Sequence, residues 1–475
     1  MEKVMKNIKF PDIRFLLLFL GGALILSLSV TCGGSGGGSS TSTATTGSVQ
    51  VSISDPPTCL VPNGNFQNVW VTITRVRAHV SSTAASTDSG WVELVDLRNN
   101  PVQLDLLSLS SPACLLTVLG TATGVPSGTY QQIRIVLLSN SPASGESLPA
   151  VNNCDGSGLN CVVTAGNATQ PLLLSSEAQT GIKIPPGQIA GGSFVVSSGL
   201  VTNLNIDFDA CSSIVHQGNG QFRLKPVLHA GQVSLTVNSI SGRVVDRFNN
   251  GAIPNAVVFA EQGDPSTPSI DRVIAQTTTG GDGSFTLCPL PSGTFDVVVT
   301  AKTAIQAYSA AVTLQVPVGT IMGNIPLTPQ PNVPPATIAG LIQATNVGGA
   351  LTTADASLSA LQAVNSQLMT IPPLENSTPD VAVDGTAIYA LNIPAANPSV
   401  GVFSASPPTF YAPPATGGVL YWVNARAFTP MNAALNPGGP DCSPSSLPVV
   451  FDSTTQRSVT PGSTTIQDFF FTACQ

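Results

Sequence analysis

The chain has 475 residues, enough for about three domains of ~150 residues each, and 42% of them are hydrophobic, which excludes a disordered polypeptide. Only 9% are charged, against roughly 25% in an ordinary globular protein, so hydroxyls, amides and backbone must carry solubility. The net charge is -8, the basic residues are not clustered, and a nucleic-acid partner is excluded because such a surface repels phosphates.

Residues 1–14 are basic on balance, through Lys3, Lys6, Lys9 and Arg14 against Glu2 and Asp12. Phe15 to Val30 is apolar apart from Gly21, Gly22, Ser27 and Ser29, short of the ~20 residues that span a bilayer. A basic start, an apolar middle and a small-residue exit predict a signal peptide over 1–31. Cys32 follows, then a Gly/Ser/Thr tether over 32–46. This resembles a bacterial lipoprotein signal, which implies acylation of Cys32 and a membrane partner reached through that lipid. The expected location is the bacterial cell envelope, lipid-anchored at the outer membrane or cell surface. Ser29 and Thr31 depart from the usual lipoprotein residues, and ordinary cleavage after Ser29 is the alternative, giving a secreted or periplasmic protein. Of nine cysteines, eight remain once Cys32 is acylated, an even set that fits an oxidising compartment. Cys154 with Cys161, and Cys442 with Cys474, are the candidate disulfides.

The next unit, 47–238, alternates with period two, the mark of half-buried strands. Val49, Val51 and Ile53 alternate before Asp55-Pro56-Pro57, then Val69, Val71 and Ile73. Val92–Leu97, Val102–Leu106, Gln132–Leu137 and Leu204–Phe208 repeat the device, and Leu115–Gly120 is predicted as a short helix. Asp207 and Asp209 are expected on a solvated strand face. The order and spelling of Val51-Ser52-Ile53-Ser54-Asp55-Pro56, Val71 to His79, Gly128 to Arg134, Ile206-Asp207-Phe208-Asp209 and Phe222 to Leu228 resemble a bacterial lipoprotein family known as domain of unknown function 4382. The resemblance implies a β-rich envelope domain and brings no reaction with it.

In unit 239–327, Ile240 to Asp246 is an opening strand and Asn249-Asn250-Gly251 a tight turn, since Asn and Gly tolerate positive φ. Ile253 to Phe259 follows, and Gly280-Gly281-Asp282-Gly283 between Thr277-Thr278-Thr279 and Ser284 to Leu287 predicts a hairpin. With Leu290 to Val299 this resembles the carboxypeptidase regulatory-like domain, which implies a small prealbumin-type β-sandwich of accessory function, with Phe295 where the family usually has Tyr. Residues 328–335 predict a stiff Pro-rich linker. Unit 336–475 is expected as a third β-sandwich: Ile338 to Ile342 echoes the opening strand, and Phe285 to Ala301 aligns without gaps on Tyr389 to Ala405. The fold class expected is therefore all-β, tandem β-sandwich domains after a signal peptide and Gly/Ser tether.

Candidate sites are sparse. His79, His216 and His229 lack metal-ligand spacing, and no Gly-x-Ser-x-Gly elbow accompanies the many serines. Neither a catalytic residue, a metal nor a cofactor is assigned. Tyr411, Tyr421 and Trp422 flank a loop at 412–418 and are the candidate ligand contacts, as rings that stack on sugar faces; adjacent rings on a strand face opposite ways, so one of each pair is expected in the core. The function expected is a non-catalytic, tethered set of β-modules for adhesion, ligand binding or scaffolding, with carbohydrate or another envelope protein as partner. The alternative is a hydrolase or metal-dependent enzyme using the three histidines of the first unit.

Overall fold

The computed structural model describes residues 45–55, 66–109, 116–174, 178, 180–210, 213–216, 220–224, 227–234, 239–265, 267–346, 348–374, 380–404, 418–428, 451–452 and 456–471. Strands dominate throughout, with three short 3-10 turns among the described residues. The signal and tether, Cys32 included, lie outside the described residues.

In the first domain, strand Thr46–Ser54 runs parallel to Val201–Phe208 and antiparallel to Thr117–Pro126. Leu228–Gln232 completes this four-stranded sheet. The segment expected to start a helix at Leu115 is therefore an edge strand from Thr117 onward: its β-branched and small residues, Thr117-Val118-Leu119-Gly120-Thr121, suit an extended edge better than a helix. A second sheet of nine strands is built on the long strand Phe66–His79, which pairs with Gln132–Leu137, Cys161–Thr164, Val92–Asp96 and Val102–Asp105. Alternation aims Val49, Val51, Ile53, Leu204 and Ile206 from one sheet at Val69, Val71, Ile73, Ile133 and Ile135 from the other. All ten are completely buried in one cluster drawn from the first domain alone.

The second domain sets a three-stranded sheet, Ser284–Leu287, Ile240–Asp246 and Ile321–Leu327, against strands Val257–Asp264, Thr267–Thr278, Thr294–Thr300 and Ala311–Pro317. Asn250 has φ 57°, as its turn requires. The Gly280–Gly283 turn differs from expectation. It joins two sheets rather than two paired strands, because Ser284–Leu287 pairs with the opening strand instead of with Thr267–Thr278.

The third domain repeats that register. Ile240 stands opposite Leu287 and Gly242 opposite Phe285, just as Ile338 stands opposite Leu391 and Gly340 opposite Tyr389. At Gly242 a Cβ would lie 2.9 Å from the Phe285 ring, so the glycine lets the aromatic cross the strand. The segment read as a linker is docked: Pro329–Gln330 pairs with Ala307–Tyr308.

The second and third domains also share a sheet. Ile270 pairs in parallel with Leu368, and Ala311–Leu314 pairs in parallel with Ser399–Val402, so eleven strands form one continuous sheet across both. Phe259, Val298, Val312 and Leu314 of the second domain lie in one buried cluster with Ile338, Ile342, Leu358 and Tyr389 of the third.

Candidate functional site

Cys154 and Cys161 form the expected disulfide, with Cα atoms 5.7 Å apart. Its loop turns through positive φ at Asp155, Gly156 and Gly158. Asn140 Oδ1 accepts from the backbone N–H groups of Leu159 and Asn160 at 2.9 and 2.7 Å, and Gln103 Nε2 donates to the Leu159 carbonyl at 3.0 Å. Cys288 is also disulfide-bonded. Cys442, Cys474 and Tyr411 lie outside the described residues.

Tyr421 is withdrawn from the ring platform. Its side chain is completely buried, its hydroxyl donates to the Pro394 carbonyl at 2.8 Å, and burial pushes its pKa well above the ordinary tyrosine value. The next residue faces the other way, and Trp422 is half-buried. Of the three proposed rings it is the one left, among the described residues, to meet a ligand.

The histidines occupy separate places. His79 is buried beside Trp91, ring centroids 5.1 Å apart. Its Nδ1 accepts from the Ser81 N–H at 2.9 Å and its Nε2 donates to the Ser89 carbonyl at 3.0 Å, so both ring nitrogens are engaged. His216 is on the edge strand Ile214–His216, with three strands between it and Phe66–His79 in the nine-stranded sheet. His229 is on the four-stranded sheet, opposite Asp207. Among the described residues, no group of three His, Cys, Asp or Glu side chains is placed to hold a metal.

What the structure does bring together is carboxyl groups at the seams between domains. Asp207 and Asp209 are buried, contrary to the solvated face expected of them. Strand alternation places them on one face, but that face is covered, because the second domain packs over this end of the sheet: Gln276 Nε2 donates to Asp209 Oδ2. Parallel pairing aligns Ser52 with Asn205 and Ser54 with Asp207. The polar chain runs Ser52 Oγ to Asn205 Oδ1 at 3.1 Å, Asn205 Nδ2 to Ser54 Oγ at 2.9 Å and Ser54 Oγ to Asp207 Oδ1 at 2.7 Å. Burial pushes Asp207 up to about 7, against the opposing Ser54 hydrogen bond and with Asp209 adding repulsion. Asp55 is likewise raised, by burial first and then by Asp209.

The second seam is between the second and third domains. Glu261 and Asp296 are cross-strand neighbours, so their side chains share a face. Glu261 is completely buried, and its Oε2 accepts from the Thr370 backbone N–H of the third domain at 3.0 Å. Asp271 Oδ1 accepts from Gln367 Nε2 at 2.6 Å, and the Thr370 hydroxyl donates to the Asp271 carbonyl at 2.9 Å. Beside them Arg272 pairs with Asp264 at 3.1 Å and donates to Asn424 Oδ1 of the third domain at 2.8 Å. On the second domain's side, Glu261, Gln262, Asp296 and Gln315 also line, with Gly191 of the first domain, a cleft of about 340 Å³. No local signal reveals either seam: Glu261 occupies an outward position of its own sandwich, and only the arrival of another domain buries it.

Residues 46–226 match the model of a family described as "Domain of unknown function (DUF4382)". Residues 239–328 match the carboxypeptidase regulatory-like domain. The chain joins these two domain types, in that order. The Asp207 seam is thus where the DUF4382 domain meets the carboxypeptidase regulatory-like domain, and the Glu261 seam is where the latter meets the third domain. No curated protein matches the chain. Solved structures similar to it include the Bacillus anthracis TIE protein, at 10% identity and TM-score 0.16, covering 91% of this chain and 51% of that one. The chain therefore spans about half the length of that relative. The shaft pilin SpaA from Lactobacillus rhamnosus GG is 9% identical with TM-score 0.17, covering 61% of this chain and 100% of that one. GBS52, the minor pilin of Streptococcus agalactiae, is 10% identical with TM-score 0.17, covering 50% and 95%.

Proposed function

We propose that this protein is a non-catalytic scaffold of the bacterial cell envelope, held to a membrane by a lipid on Cys32. The observation that carries the proposal is the sheet shared by the second and third domains. Freely jointed modules would each close their own sheet and core. Here main-chain hydrogen bonds and one apolar cluster cross the seam, which suits a body that holds its parts in fixed relation. Cys154–Cys161 fits folding in an oxidising compartment. Its partner is carbohydrate or another envelope protein, with Trp422 as the contact residue.

Calorimetry of the mature protein tests the scaffold. Residues 239–471 are expected to unfold in one transition separate from that of the first domain, and three independent transitions would refute it. Mass spectrometry of the mature N-terminus tests the anchor, with a diacylated or triacylated Cys32 expected and an unmodified start at Val30 the contrary result. On a glycan array, binding should disappear in Trp422→Ala; binding that persists would remove the carbohydrate contact from this site.

A further inference from the structure

The second seam is built from acids with too little positive charge to match them. Glu261 meets Asp271 and Arg272 from strand Thr267–Thr278 and Asp296 from Thr294–Thr300. From the third domain it meets the Thr370 N–H, while Gln367 reaches Asp271 and Asn424 reaches Arg272. Arg272 is the cation among these groups, and it is paired with Asp264 on Glu261's own strand. Oε1 of Glu261 has no hydrogen-bond partner among the described residues. Asp296 stands close enough to Asp271 for its charge to add to burial in raising the Asp271 carboxyl.

We infer that this seam is a proton-operated latch: Glu261 and Asp271 seat the third domain's strand Gln367–Thr370 while protonated, and loosen it as they ionise. The inference rests on the scaffold reading, since it regulates the same joint. Two forces compete. Hydrogen bonds from Thr370 N–H and Gln367 favour the charged carboxylates. Burial and mutual repulsion oppose them and win, for burial is the largest influence on both groups; Glu261 is held well above its ordinary value and Asp271 is pushed up to about 7. The sign follows: an acid whose folded-state value is raised gives its full stabilisation below the unfolded value near 4, and loses it as pH rises through about 7. The seam is therefore tightest in acid and weakest in mildly alkaline medium.

Hydrogen–deuterium exchange of the full mature chain reads this directly, through the protection factor of the Thr370 amide corrected for intrinsic exchange. Between pH 5 and pH 8.5 it is expected to fall by about tenfold or more, the equivalent of at least one pKa unit. In Glu261→Gln, which keeps an acceptor for Thr370 but cannot ionise, the fall should shrink to less than half its logarithm. Asp271→Asn serves the same purpose should the first variant not fold, and the unmodified protein's own slope tests the latch without either. A protection factor independent of pH, or an undiminished fall in the variants, would overturn it. So would recovery of protection at pH 8.5 on adding calcium chloride alone, since a cation would then be the natural counter-charge. An amide unprotected even at pH 5 would instead refute the scaffold itself, so the two failures are distinguishable.

Discussion

The first domain closes on itself; the second does not. Every fully buried residue of the first core comes from the DUF4382 region and the strand that follows it, whereas the second domain splits its apolar residues between a core of its own and one completed by the third. The strand Val257–Asp264 shows the split within neighbouring residues: Val258 and Ala260 face the private core, Phe259 the shared one. The first and second domains thus differ in independence, and the cause is which faces are left apolar. A domain boundary in sequence is not a boundary in energy.

The sharpest break of that comparison is truncation. Removing 336–475 would expose Phe259, Val298, Val312 and Leu314, each worth about 1.5–3 kcal/mol when buried, a loss comparable to the whole stability of a domain. Soluble, cooperatively unfolding 45–335 would disprove the shared core; the first domain alone should keep its own melting transition by circular dichroism.

Next in size is Asp207→Asn. Its value of about 7 lies some three units above an unfolded aspartate, up to about 4 kcal/mol. Because the folded value is raised, the wild-type loses stability as pH climbs from about 4 through 7. The variant, which still accepts from Ser54, should be more stable than wild-type at pH 8 and equal to it at pH 4 in urea titrations. Equal pH profiles would show that Asp207 is not buried as described.

Replacing Cys154 and Cys161 together with Ser should cost about 2–3 kcal/mol, as for a short closed loop, and lower only the first-domain transition. Smallest is Tyr421→Phe, which leaves the Pro394 carbonyl without its donor, at about 1 kcal/mol. It should lower the joint transition of the second and third domains and leave the first unchanged.

Much of this was legible in the residues. The period-two alternation through Val49, Val51 and Ile53 predicts a strand because side chains of a strand alternate between faces, and those three are completely buried. The disulfide at Cys154 and Cys161 follows from proximity in sequence, and the echo of Phe285 in Tyr389 from the gap-free alignment of Phe285 to Ala301 on Tyr389 to Ala405. Leu115–Gly120 misled because a short apolar run has no decisive period. Asp207 and Asp209 misled for a different reason: alternation tells which face a residue is on, and nothing local tells whether that face meets water.

By itself the sequence determined the local matters: strands, turns, the tight disulfide loop and the order of domains, all set by neighbouring residues a few positions apart. Only the tertiary structure decided which faces are covered, that the third domain completes the second's core, and that carboxyl groups lie sealed in the seams. Burial depends on residues such as Gln276 with Asp209, or Thr370 with Glu261, brought together from 67 and 109 positions away. Contacts at that range leave no periodic trace in the chain.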